Sequence, residues 1–305
     1  SERIQKEHKR NFKKLIAAMG ENPPISTITR KALKEAILIC ANLPLMTKSP
    51  YNRMKIQEVL EMEIPEKDRV KGKTAIEVKK TAQGIFAYAV DVAELIDTSP
   101  AKGMKLGVKL DSVCTFAPYT DAEVKMILAA LSEESEPWRQ WLPMLAAYTG
   151  ARRSELVQLR TQDIKFDTDS GRHYILITGE AGSVKNENAT RQVPLHVALI
   201  DKGFLDFKDK TDGRLFNDLD PQAVTKWFTR FLGRLGIERF DDYGNRKVFH
   251  SFRHSFITKS QDHNPVHHVQ QVVGHEKTNT GTTAGYTHTR QLKFVLGVVD
   301  KVTYD

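Results

Sequence analysis

The sequence predicts a protein that is mainly α with a small antiparallel β-sheet, a helical domain being followed by an α+β domain. Three observations carry this. Apolar residues recur at helical spacing along most of the chain. Alternating strand-like runs with turn residues between them occur only between about 164 and 195. The charge is also lopsided: residues 1–110 hold 21 Lys/Arg against 13 Asp/Glu, while residues 111–305 hold 25 of each. The net charge of +8 therefore belongs to the first part of the chain, as expected of a basic half that grips a polyanion. At 305 residues the chain is long for one domain and comfortable for two.

The first elements read as helices. Residues 1–18 wrap Lys/Arg-rich faces around Phe12, Leu15 and Ile16, and Pro23-Pro24 breaks the chain. Ile28, Leu33, Ile37 and Cys40 form the stripe of a second helix that stops near Pro44, and a third runs from about Tyr51 to Met62. Thr74 with Glu77 has capping-box spacing and predicts the start of a long helix through Ile85, Tyr88, Ala89, Val92 and Leu95. Ser99-Pro100-Ala101-Lys102-Gly103 ends it, and no strand is expected before residue 110. Periodicity is lost over 98–118. The first domain is accordingly set at 1–105, a linker at 106–118, and the second domain at 119–305.

A second capping box, Thr120 with Glu123, opens helices at about 121–132, 137–149 and 152–160. Ile164-Lys165-Phe166, Tyr174–Ile177 and Arg191–Leu195 are the strands, with Asp169-Ser170-Gly171 and the Gly179/Gly182 region as turns. Helices resume at about 197–209, 221–235, 250–260 and 265–273, with a last one near 290–300.

Composition narrows the function classes. No run approaches the ~18 apolar residues of a membrane span, and the charged residues 1–14 are not followed by the apolar core of a secretory signal. Two distant cysteines, Cys40 and Cys114, make neither a disulfide framework nor a metal motif, and fit a reducing, intracellular setting. Ser1 in place of Met suggests a trimmed N-terminus.

Three segments carry candidate chemistry. In Thr149-Gly150-Ala151-Arg152-Arg153-Ser154-Glu155-Leu156, Gly150 permits a sharp turn between two helices. Arg152 then falls at a helix start, where free backbone N–H groups favour a phosphate, and Glu155 is spaced to hold its guanidinium. In Phe249-His250-Ser251-Phe252-Arg253-His254-Ser255-Phe256, His250 and Arg253 share a face that offers two donors to one anion, and Phe252 and Phe256 pack inward. A zinc site on His250 and His254 is disfavoured, because Ser251 stands where the metal motif needs Glu. Val273-Gly274-His275 and Thr283-Ala284-Gly285-Tyr286-Thr287-His288 form the third, and seven of the ten histidines lie between 250 and 288.

The ordered set Arg152…Lys185…His250-x-x-Arg253…Gly274-His275…Tyr286 resembles the active-site signature of the tyrosine recombinases. The resemblance covers most of 119–290. Residues 1–105 resemble, more weakly, the helical core-binding domain of phage and mobile-element integrases, with Lys71-Gly72-Lys73 and Ser99-Pro100-Ala101 the most family-like pieces. It implies a DNA-binding domain at 1–105 and a catalytic domain with a tail helix at 119–305. It implies Tyr286 as nucleophile, Arg152, Arg253 and His275 on the phosphate, His250 for the tyrosine proton, Glu155 in support and Lys185 on the hairpin as general acid, with Arg191 as its competitor. Gly285 departs from the family, where Arg or a similar residue is common before the tyrosine.

The implied activity is site-specific recombination, the integration or excision of a mobile element through a 3′-phosphotyrosyl intermediate. No cofactor and no metal are implied. The partners would be double-stranded DNA, a homotetramer at the synapse, and accessory DNA-bending or directionality proteins; no membrane is involved. The expected location is the cytoplasm, at the bacterial nucleoid, and an arm-binding domain often precedes the part matched here. The apolar tail residues Leu292, Val295, Leu296, Val298 and Val299 would dock on a neighbouring subunit or pack on their own domain. Three other readings compete. One is a topoisomerase-like nicking and resealing enzyme and another a non-catalytic DNA-binding protein. The third, a metal-dependent nuclease, is disfavoured because Asp262 and Glu276 adjoin histidines without metal-ligand spacing.

Overall fold

The computed structural model describes residues 2–20, 22–70, 72–107, 116–178, 190–217, 219–275 and 291–304. The chain divides into two compact units, Ser1–Val113 and Cys114–Asp305. Most of the expected linker, residues 108–115, lies outside the described residues.

The first unit is helical: α1 (Glu2–Ala18), α2 (Arg30–Asn42), α3 (Ile56–Leu60) and α4 (Gly72–Asp91). Thr29 caps α2 by accepting from Ala32 N. Leu33, Ile37 and Cys40 on α2, with Val78, Ala82 and Phe86 on α4, form the buried core together with Leu15 of α1. Asn11 Nδ2 donates to Thr81 Oγ1 at 3.2 Å and ties α1 to α4. Two expectations change here. The long helix begins at Gly72, before Thr74, so Thr74 is an interior residue and not a cap. It also ends at Asp91 instead of running through Leu95, and Tyr88, Val92 and Leu95 are exposed. Periodicity identifies an apolar face but does not say whether anything covers it.

The second unit opens with α5 (Asp121–Ala130). Here the capping box forms as expected: Glu123 N donates to Thr120 Oγ1 and Thr120 N to Glu123 Oε2. α6 (Pro137–Thr149) starts on a proline and ends at the left-handed Gly150, and α7 (Arg153–Val157) follows at once. The strands are β1 (Ile164–Asp167), β2 (Arg172–Ile177) and β3 (Arg191–Pro194), antiparallel in the order β1-β2-β3. Ile164 pairs with Ile175, and Ile175 with Val193, so one face of the sheet is an unbroken buried row. Next come α8 (Val197–Asp201), α9 (Phe204–Asp209) and α10 (Pro221–Arg234), and then α11 (Ser251–Gln261) and α12 (Val266–Val273). The last helix is α13 (Leu296–Asp300). Phe252 and Phe256 are fully buried, and α11 packs against α6.

The tail packs on its own unit. Leu292, Val295, Val298 and Val299 are buried. Ser260 Oγ donates to the Val298 carbonyl at 2.7 Å, and Asn264 Nδ2 to the Gly297 carbonyl at 3.1 Å. Arg172 grips Asp300 with two bonds, and Tyr304 OH donates to the Ala147 carbonyl. Of the two placements open to these side chains, the structure has them packed on their own unit. Among the described residues no helix is long and apolar enough to cross a membrane.

Candidate active site

The site is built on two left-handed glycines. Gly150 (φ 60°) ends α6, and a Cβ there would sit 2.5 Å from Phe256 Cδ1. Only glycine lets the chain turn from α6 into α7 against α11. Gly274 (φ 67°) ends α12, and a Cβ there would sit 2.8 Å from Arg191 Nη1. Both turns bring backbone close to an element distant in sequence.

A helix ends with carbonyls that have no partner inside it. At the end of α12 three guanidiniums supply the partners, and each comes from a different element. Arg191, which opens β3, donates from Nε to the Val272 carbonyl at 2.9 Å. Arg253 of α11 donates from Nη2 to the Val273 carbonyl at 2.6 Å. Arg152, the residue before α7, donates from Nη2 to the Gly274 carbonyl at 3.1 Å. Cations are also favoured at the negative end of the helix dipole. His275 follows directly, its N bonded to the Gln270 carbonyl.

One carboxylate organises two of the three cations. Glu155 Oε2 accepts from Arg152 N at 2.7 Å and from Arg191 Nη2 at 2.7 Å. Glu155 Oε1 accepts from Arg152 Nη1 at 2.9 Å and Arg191 Nη1 at 3.1 Å. Burial pushes the Glu155 carboxyl up, but the bonds and charge of Arg191, then the bonds from Arg152, outweigh it and hold it below the usual carboxylate range. Arg253 is anchored separately, its Nη1 donating to the Gly150 carbonyl at 2.7 Å. Burial, followed by the charges of Arg152 and Arg191, lowers the Arg253 guanidinium, which stays protonated at neutral pH. Among the described residues the cluster holds three guanidiniums against one carboxylate. Arg191 and Arg253 are buried, whereas Arg152 keeps about a third of its side chain, 34%, in solvent.

Two histidines border this charge. His250, the residue before α11, is brought down to about 4 by burial, then by His254, Arg253, Arg152 and Arg153. It is neutral at neutral pH, with a lone pair able to accept a proton. His275 is lowered by burial and then by Arg253, Arg152 and Arg191. Of the expected site residues, Arg152, Glu155, His250, Arg253 and His275 are thus brought together. Lys185 and Tyr286 lie outside the described residues. Arg191, read from sequence only as a rival to Lys185, is instead a buried partner of Glu155. The alternation of Arg191, Val193 and Leu195 was the available signal: period two puts Arg191 on the buried face of its strand. Among the described residues no group of three or more His, Cys, Asp or Glu is placed to hold a metal ion.

The model of the phage integrase family matches residues 119–292, which include every element of this site. The chain belongs to the phage integrase family. Its similar proteins are tyrosine recombinases, the class that cuts and rejoins DNA. One, a tyrosine recombinase of Thermosipho africanus, is 24% identical over 293 residues, covering 94% of this chain and 89% of the relative. Another, a XerC-like tyrosine recombinase of Caldanaerobacter subterraneus subsp. tengcongensis, is 27% identical over 243 residues. That match covers 67% of this integrase-family chain and 59% of the relative's length. Among solved structures, the lambda integrase(75-356) dimer bound to a COC′ core site superposes with a TM-score of 0.61 at 17% identity. The superposition covers 92% of this chain and 90% of that one, and establishes the shared fold.

Proposed function

We propose that this protein is a site-specific recombinase that breaks and rejoins double-stranded DNA through a covalent bond between Tyr286 and a 3′-phosphate. The observation that carries the reading is the convergence of Arg152, Arg253, His250 and His275 at the end of α12. A phosphodiester repels nucleophiles by its own charge. Guanidiniums fixed beforehand stabilise the further negative charge of the transition state without reorganising. Arg152 faces the phosphate and Arg253 backs it; each Nη that bonds a carbonyl carries a second hydrogen for a non-bridging oxygen. The neutral His250 takes the tyrosine proton, since a phenol with an ordinary pKa near ~10 is a weak nucleophile at neutral pH. Lys185 returns a proton to the leaving 5′-oxygen. Tyr286 attacks phosphorus, the bond to the 5′-oxygen breaks, and the phosphodiester's energy is kept in the phosphotyrosyl bond. Attack by a 5′-hydroxyl from another strand then reverses the step.

The DNA-bound lambda integrase structure supports DNA as the partner, and the Lys/Arg excess of residues 1–110 supports a strong, salt-dependent hold on its backbone. We assign 1–105 to core DNA binding and 119–305 to catalysis, with the enzyme acting as a tetramer in the cytoplasm at the nucleoid. The test is to incubate the chain with a pool of nicked duplexes of randomised sequence, in which a cleaved strand end diffuses away and traps the adduct. Wild type is expected to give a covalent complex in the presence of EDTA, with the modified peptide containing Tyr286. Tyr286→Phe is expected to bind DNA and give none. An adduct on Tyr304, or cleavage that persists in Tyr286→Phe, would overturn the assignment.

A further inference from the structure

The first described residues of the second unit run extended beside the segment that precedes α11. Phe116 forms a parallel bridge with Arg246, and Ala117 N donates to the Arg246 carbonyl at 3.0 Å. Arg246 also bridges Phe240, while Lys247 N donates to the Arg239 carbonyl and Asp241 N to the Asn245 carbonyl, both at 2.9 Å, so residues 239–247 make a tight hairpin. The Asp241 carboxylate fixes its turn by accepting from Tyr243 N at 3.0 Å and Asn245 N at 2.7 Å. The other end of this extended segment is equally held. Tyr119 N donates to Ser255 Oγ at 2.7 Å, Ser255 Oγ donates to the Tyr119 carbonyl at 3.1 Å, and Tyr119 OH donates to the Val248 carbonyl at 3.0 Å. Residues 116–119 are thus stitched to the hairpin and to α11.

Near these anchors the Phe116 ring lies edge-on to His250, with centroids 5.8 Å apart and planes at 69°. It also reaches His254, at 6.3 Å. Among the described residues, the charged and titratable groups that bear on His250 are His254 and Arg253 of α11, with Arg152 and Arg153 at the start of α7. Every one of them disfavours a protonated imidazole. A proton acceptor in such surroundings gains by swinging away toward water as it becomes charged, and Phe116 stands against it.

We infer that Phe116 is a positioning residue for His250: its ring, 42% exposed but carried on an anchored backbone, packs edge-on against the imidazole and limits its swing away from Arg152 and Arg253. The inference rests on the reading of His250 as the acceptor of the nucleophile's proton. Phe116 itself touches no reacting atom, so its effect must run through His250.

The experiment uses the full chain and duplexes recovered as adducts from the randomised nicked pool. Phe116→Ala is expected to slow single-turnover adduct formation about tenfold, part of what a general base contributes, with DNA retention unchanged. NMR of the free protein is expected to show the His250 titration midpoint rising in this variant. Phe116→Leu keeps the apolar bulk; it should fold with an unchanged unfolding midpoint and be slowed by a smaller factor. In a His250→Ala background, Phe116→Ala should have no further effect. Equal slowing in both backgrounds overturns the inference, because Phe116 then acts elsewhere. A folded Phe116→Ala that cuts at the wild-type rate while His250→Ala does not also overturns it, and leaves the site intact. If His250→Ala forms the adduct normally, the reading of His250 falls first and the inference with it.

Discussion

Replacing Glu155 by Ala is the severest single change the site offers. The carboxylate is buried and accepts four hydrogen bonds, two from Arg191 and two from Arg152. Its main counter-charge, Arg191, has only 4% of its side chain exposed. Removing the acid leaves that guanidinium in the interior without its anion, and the usual cost of breaking a buried pair is about 3–5 kcal/mol. The helix-start bond from Arg152 N is lost as well, a further contribution of roughly 1 kcal/mol that overlaps the first. Against a total domain stability of about 5–15 kcal/mol, this is a large fraction. Urea unfolding of wild type, Glu155→Ala and the double variant Glu155→Leu/Arg191→Met would measure it. The double variant should recover much of the loss, because it removes the unpaired charge together with the acid. A single-variant cost below about 1 kcal/mol, or no recovery in the double variant, would refute the idea that Glu155 neutralises a buried cation.

Three further outcomes are expected. Deleting the residues after Arg290 should give aggregation or unfolding, detectable by light scattering, since the buried tail residues Leu292, Val295, Val298 and Val299 complete their own unit's core. Gly150→Ala should lower stability by about 2–4 kcal/mol in thermal unfolding, combining a left-handed alanine with a 2.5 Å approach to Phe256. The His250 imidazole lies at about 4 in the folded chain, principally through burial, against an unfolded value near ~6.5, so the native state resists its protonation. Its contribution to stability is complete above the unfolded value and is lost as the pH falls from ~6.5 through ~4; urea midpoints across that range should decline, and less so in His250→Gln.

Much of this arrangement was legible in the sequence because it rests on local chemistry. The Thr120/Glu123 cap, the turn at Gly150 and the Arg152–Glu155 pair each involve residues within a few positions, and each formed as read. The inward packing of Phe252 and Phe256 followed from helical spacing. What escaped depended on distance along the chain. Glu155 meets Arg191 across 36 residues and Arg152 meets Gly274 across 122, and no periodicity records such pairs. Phe116 sat in a stretch that reads as linker, and its contact with His250 exists only after the hairpin at 239–247 has formed. Tyr88, Val92 and Leu95 erred the other way: they stand at helical spacing in the sequence, yet the helix stops at Asp91 and all three are exposed.

The three arginines that close the end of α12 have a consequence for the order in which the site can assemble. They lie at positions 152, 191 and 253, and their common acceptors are the carbonyls of Val272, Val273 and Gly274. Until that last turn has folded, Glu155 can gather Arg152 and Arg191, but the turn on which all three cations meet is missing. A chain cut short before α12 would therefore keep the basic residues of its first unit and lose the turn that sets the spacing of the three guanidiniums.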